Sequence, residues 1–142
     1  MGKTFKRDIR SLEKVFGFID EFAARENIGD SVRRSLYLAV DELFTNMIKY
    51  HPANANDITI VLERVADEMT VKLVDRDVEP FDIMEAKDPN LLASLDERKP
   101  GGLGIYLTKN VVDNIKYEYR DRTSIITLTK RLRRNDVSHP HE

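Results

Sequence analysis

Two stretches of helical period come first in this chain and strictly alternating stretches come later, an order that admits few architectures. Residues 11–28, SLEKVFGFIDEFAARENI, set Leu12, Val15, Phe16, Ile19 and Phe22 at helical spacing. Gly29 is expected to break that segment. Asp30 or Ser31 should then cap a second helix running to about Tyr50, which HPANAND ends by proline and turn chemistry. DITIVLERV (57–65) and EMTVKLVD (68–75) alternate instead, with Ile58, Ile60 and Leu62, then Met69, Val71 and Leu73, each lining one face. The short ADE between them predicts a hairpin. TFKRDI reads as an edge strand at the start, GIYLTKNVVDNI as a third helix, and KYEYRD and SIITLTKRL as two closing strands. Helices early and paired strands late predict an α+β two-layer sandwich, a mixed, mostly antiparallel sheet covered on one face by helices.

The 142 residues suit one domain, expected over 1–134, with residues 135–142 as a disordered tail. With 23 basic and 25 acidic side chains the net charge is −2, so no global field favours nucleic acid or an anionic membrane, and neither is expected as a direct partner. The basic run KRLRR (130–134) reads as a solvated strand end. Cysteine is absent, which excludes disulfides, thiolate catalysis and thiolate-held zinc. No apolar run approaches the roughly 18 residues of a membrane span, and MGKTFKRDIR lacks the apolar centre of a signal peptide. A cytoplasmic location is the expectation.

Three places carry chemistry beyond packing. On a wheel of about 100° per residue with Leu36 at zero, Lys49, Glu42 and Asn46 fall near about 220°, 240° and 280°, against one edge of the apolar stripe. A solvated shoulder with a weak Glu–Lys contact accounts for them; so does a carboxylate base beside an amide oxygen able to ligate magnesium and an ammonium able to meet phosphate. PGGLGIYLTK (100–109) puts glycines just before a helix N-terminus, where free N–H groups attract phosphate, although a flexible turn fits equally. It is neither a Walker A loop nor a dinucleotide fingerprint. Asp75 ends a strand, where a carboxylate either caps a turn or accepts a hydrogen bond from an exocyclic amine such as that of adenine.

In chain order these places form a pattern. The sequence resembles the GHKL (Bergerat-fold) ATP-binding superfamily, and within it the small anti-sigma serine kinases of bacteria, from about residue 5 to about residue 132. DELFTNMIKY is similar to the family's E-x-x-x-N box, DRDVEPFD sits where the family has D-x-G-x-P-F-D, and GGLGIYLTKNVVDNIKYEY is similar to its glycine box with the following helix and strand. The resemblance implies ATP and magnesium as cofactors. It makes Asn46 the magnesium ligand, Glu42 the general base, Asp75 the acceptor of the adenine amino group, and Lys49 a phosphate contact. Gly102, Leu103 and Gly104 would let phosphates approach the third helix, and residues 83–100 would form an ATP lid with Arg98 and Lys99 neutralising charge.

The same resemblance implies a sigma factor and an anti-anti-sigma (STAS-type) protein as partners, a homodimer, and phosphorylation of the anti-anti-sigma partner on serine. Two departures bear on this. Asp77 replaces the small residue of D-x-G, placing a side chain where backbone passes close to the base, so that either the loop shifts outward or affinity falls. Arg122 and Ser124 replace the glycine and asparagine usual before the last strand. The alternative expectation is therefore a regulatory binding module of the same fold with weak or absent ATP turnover.

Overall fold

The computed structural model describes residues 1–50, 53–79 and 112–133. The glycine turn at 101–104, the expected lid at 83–100, most of the expected third helix and the tail at 135–142 lie outside the described residues. Strands β1 (Gly2–Phe5), β2 (Ile58–Val65), β3 (Glu68–Arg76), β4 (Asn114–Arg120) and β5 (Thr123–Arg131) form one sheet in the order β1-β2-β3-β5-β4. Helices α1 (Leu12–Arg25) and α2 (Asp30–Tyr50) pack on it. The α+β sandwich is as expected. Among the described residues every strand pairing is antiparallel, so the parallel component of a mixed sheet does not occur there. Two-residue hairpins at 66–67 and 121–122 join β2 to β3 and β4 to β5, and such short links admit only antiparallel partners.

Sheet alternation builds the core. Ile58, Ile60 and Leu62 of β2, Met69, Val71 and Leu73 of β3, and Ile126 and Leu128 of β5 are all buried on the helix-covered face. Thr59, Val61 and Thr70 on the opposite face are only half-buried. From α1 come Val15, Phe18, Ile19, Phe22 and Ala23, and from α2 Val32, Leu36, Ala39, Val40, Leu43, Phe44 and Met47. Full burial of each large apolar side chain is worth about 1.5–3 kcal/mol. Of the α1 residues at helical spacing, Val15, Ile19 and Phe22 are buried with Phe18, whereas Leu12 and Phe16 are half-buried, Phe16 lying against Tyr37 at 5.0 Å between ring centres.

Local chemistry moves several expected boundaries. The first strand covers Gly2–Phe5 rather than TFKRDI, because Asp8 accepts from Arg10 N at 2.9 Å and caps a 3-10 turn at Ile9–Ser11. α1 stops at Arg25, not at Gly29. Asn27 takes the left-handed conformation (φ 56°) and Ile28 N reaches back to Ala23 O at 2.8 Å, closing the helix end. Gly29 instead starts α2, its carbonyl accepting from Arg33 N at 3.0 Å, so that Asp30 lies in the first turn rather than at the cap. Asn114 and Ile115, expected in the third helix, belong to β4, whose register pairs them with Thr129 and Leu128.

Candidate functional site

At one end of the sheet the buried rows change from apolar to polar. On β3 the row Met69, Val71, Leu73 ends in Asp75, and on β5 the row Leu128, Ile126 ends in Ser124, and the two polar residues face each other across the ladder. Four polar or charged residues are buried among the described residues: Ser11, Asn46, Asp75 and Ser124. Ser11 donates to Lys6 O at 2.8 Å and is accounted for locally. The other three belong to this end, because the Arg7 side chain joins the α2 segment carrying Asn46 to Asp75. Burying polar groups costs free energy unless each is matched, so this end of the core is specialised.

The α2 flank follows from helical geometry. Glu42, Asn46 and Tyr50 succeed one another at i, i+4 spacing. Asn46 is 1% exposed, and its Nδ2 donates to Glu42 Oε1 at 3.1 Å. Asn46 is buried beside Met47 at the margin of the apolar stripe rather than on a solvated shoulder. Glu42 is half-buried, and Lys49 is exposed in the last turn. Tyr50 was not anticipated. Although Tyr50 is 38% exposed, partial burial raises its phenol pKa, and the Glu42 carboxylate raises it further.

Asp75 is 1% exposed, and its Oδ1 accepts from Nη2 of Arg7, whose side chain is 3% exposed. Arg7 also donates from Nη1 to Met47 O at 2.9 Å and from Nε to Asn56 O at 3.1 Å. One guanidinium thus ties the turn after β1 to the end of α2, the 54–56 loop and the end of β3. Sequence reasoning missed this residue because it lies in a segment read as strand, 68 positions from its carboxylate partner. Across the ladder, Tyr117 Oη and Ser124 Oγ lie 3.3 Å apart.

The segment after β3 is held on three sides. Asn54 Nδ2 donates to Asp77 O at 3.2 Å, Tyr119 Oη donates to Val78 O at 2.7 Å, and Val78 N donates to Arg122 O at 3.0 Å. Within it Asp77 adopts φ 59°, the left-handed conformation that glycine takes most readily, and so does Arg122. The two departures from the family pattern meet: Arg122 Nε donates to Asp77 Oδ1 at 2.9 Å and Nη1 to Glu79 Oε1 at 3.1 Å. These contacts raise the Arg122 pKa, the Asp77 hydrogen bond contributing most.

Beside this cluster opens a cleft of about 570 Å³ lined by Tyr50, Asn54, Asn56, Asp77, Val78 and Arg122 among others. Tyr50 and Asp77 connect it to the α2 flank and to the end of β3, whereas Glu42, Asn46 and Asp75 do not line it. Of the expected site residues, then, the structure brings Glu42 to Asn46, places Asp75 behind Arg7, and sets Asp77 on the cleft wall. Arg98, Lys99, Gly102, Leu103 and Gly104 lie outside the described residues.

No cluster of three or more His, Asp or Glu side chains that could hold a metal occurs among the described residues. That donor set fits magnesium in one way. A magnesium ion keeps waters and phosphate oxygens and needs only one or two protein ligands, and with the Asn46 nitrogen committed to Glu42, its amide oxygen is the donor of the right kind. No described helix is long and apolar enough to cross a membrane.

Known proteins share this sequence pattern and fold. The sequence is 27% identical over 114 residues to the serine/threonine-protein kinase BtrW of Bordetella bronchiseptica, covering 79% of this chain and 80% of BtrW. In fold it is similar to a chain in the crystal structure of the SiaB–SiaC complex from Pseudomonas aeruginosa (TM-score 0.62, 15% identity, 92% of this chain and 87% of that one). It also resembles the histidine kinase AdeS of Acinetobacter baumannii (TM-score 0.52, 18% identity, 93% and 68%). The histidine kinase-like ATPase domain family (HATPase_c_2) matches residues 5–130, from the last residue of β1 into the final residues of β5, and the chain belongs to that family.

Proposed function

We propose that this chain is an ATP-dependent serine-protein kinase and anti-sigma regulator, which sequesters a sigma factor and phosphorylates an anti-anti-sigma, STAS-type partner. The observation that supports this reading most directly is the Asn46–Glu42 hydrogen bond, which sets an amide oxygen and a carboxylate one helical turn apart at the polar end of the core. Similarity to BtrW, a serine/threonine-protein kinase, supports phosphotransfer. The SiaB–SiaC complex motivates a protein partner.

In this reading Asn46 Oδ1 would hold a magnesium ion, which would supply charge neutralisation at the triphosphate. Asp75 receives the adenine amino group. Glu42 takes the proton from the partner's serine hydroxyl as its oxygen bonds to the γ-phosphorus, and the bond from that phosphorus to the β,γ-bridging oxygen breaks to release ADP. Lys49, Arg98 and Lys99 supply positive charge, and Gly102, Leu103 and Gly104 let the phosphates approach backbone N–H groups. Phosphoryl transfer asks a protein mainly for positioning and charge neutralisation, which this short roster covers. The protein acts in the cytoplasm, as a homodimer.

The deciding experiment is transfer of the γ-phosphoryl group from radiolabelled ATP to STAS-type proteins encoded with this chain. Serine labelling that disappears in Glu42→Ala is the expected result; ATP binding without labelling of any partner overturns the kinase assignment. A second reading, a binding module without turnover, is favoured by the ion pair that already engages Asp75 and by Asp77 at the glycine position. Calorimetry with ATP and magnesium separates the two, since the module predicts partner sequestration with no nucleotide heat.

A further inference from the structure

We infer that Arg7 is a positioning residue for base recognition: it keeps Asp75 in its anionic, acceptor-only form and so selects a base with an exocyclic amino group over one with a carbonyl at that position. This inference rests on the nucleotide reading above and adds a residue to it.

The guanidinium is anchored independently of Asp75. Two of its three donor atoms are taken by the main-chain carbonyls of Met47, in the last turn of α2, and Asn56, in the loop before β2. Swinging the side chain aside would break both contacts, leave the part-buried Met47 carbonyl without this donor, and take the cation away from a position where it is 3% exposed and fully paired. A base arriving at Asp75 therefore meets the carboxylate with Arg7 still attached. An arginine does not lose its proton in a protein, so the positive charge is permanent. Asp75 is 1% exposed, a position where a carboxylate lacking a cation takes up a proton rather than remain charged.

The protonation state decides the base. An ionised carboxylate only accepts hydrogen bonds, which matches the 6-amino group of adenine, whereas a protonated one donates and matches the 6-carbonyl of hypoxanthine or guanine. The two nucleotides ATP and ITP differ at that position and share the triphosphate, so their ratio isolates the effect. A site that hydrogen-bonds one group rejects the analogue lacking it, because the unmatched buried partner is then costly.

The test is calorimetric binding of ATP and of ITP, each with magnesium, to the full chain and to Arg7→Met and Arg7→Gln. Met removes the charge and the donors; Gln removes the charge but keeps an amide donor for the carbonyls and serves if the Met variant does not fold. The unsubstituted protein is expected to prefer ATP by about tenfold or more, and both variants to bring the ratio within about threefold. Arg7→Lys, which restores a cation, should recover part of the preference. A clamp that is only structural weakens both nucleotides by the same factor, and an unchanged ATP to ITP ratio in the Gln variant overturns the inference while leaving the ATP reading intact. Absence of ATP binding by the unsubstituted chain overturns that reading and the inference together.

Discussion

Asn46 and Asp77 each stand where a local rule would place another residue. Asn46 is buried in a helix margin where apolar side chains would pack, and its Nδ2 bond to Glu42 offsets its desolvation. Asn46→Ala is expected to lower stability by about 1–2 kcal/mol, from the lost hydrogen bond and the gap left behind, and to remove the magnesium dependence of ATP affinity. Urea titration reads the first effect and calorimetry with and without magnesium the second; intact magnesium dependence would detach Asn46 from the metal. Asp77 holds φ 59° with its carboxylate drawn to Arg122. Both Asp77→Gly and Asp77→Ala lose the ion pair, but Gly keeps that backbone without strain whereas Ala keeps the strain. Ala should therefore be less stable than Gly by about 1 kcal/mol in chemical denaturation. The exposed ion pair is lost from both variants and cancels between them, so backbone conformation alone sets the difference.

Among the elements, the 3-10 turn at Ile9–Ser11 has a role out of proportion to its length. Its Asp8 cap comes directly after Arg7, whose side chain lies buried against Asp75 rather than along a strand edge. The Asp8 carboxyl is lowered to about 2, first by the Arg10 side-chain hydrogen bond and then by the Arg10 backbone N–H. A depressed folded-state value means that the cap contributes above the ordinary carboxylate pKa and loses that contribution as pH falls toward 2. Amide exchange or NMR of residues 8–11 should show the turn loosening between about pH 4 and pH 2. Asp8→Asn should make that local signal flat with pH. The hairpin at Asp121–Arg122 is a second such element: φ values of 51° and 59° match the twist of β4 and β5, and the turn carries Arg122 to the cleft.

For the whole molecule, the two layers meet in a continuous apolar core that closes at its far end with Asp75, Ser124, Asn46 and Arg7. A nucleotide joining that end should stabilise the folded state by mass action. At a hundredfold excess over Kd, ATP with magnesium is expected to raise Tm by roughly 10 °C, from about 2.7 kcal/mol of linkage. Thermal melts check this, and a shift of equal size in Asn46→Ala would mean that the ligand is held elsewhere.

Local rules were sufficient for α1, α2, the β2–β3 hairpin and the E-x-x-x-N spacing on α2, because periodicity and turn chemistry act over a few neighbouring residues. They were insufficient at Gly29, where Asn27 supplied the left-handed turn first, and at residues 6–9, where one capping aspartate ended the strand. The burial of Asn46, the meeting of Asp77 with Arg122 and the insertion of Arg7 between Met47, Asn56 and Asp75 were decided only by the tertiary structure. Each joins surfaces of different elements or depends on how two layers close over one another. Burial and ion pairing of that kind depend on distances in space that no spacing along the chain encodes.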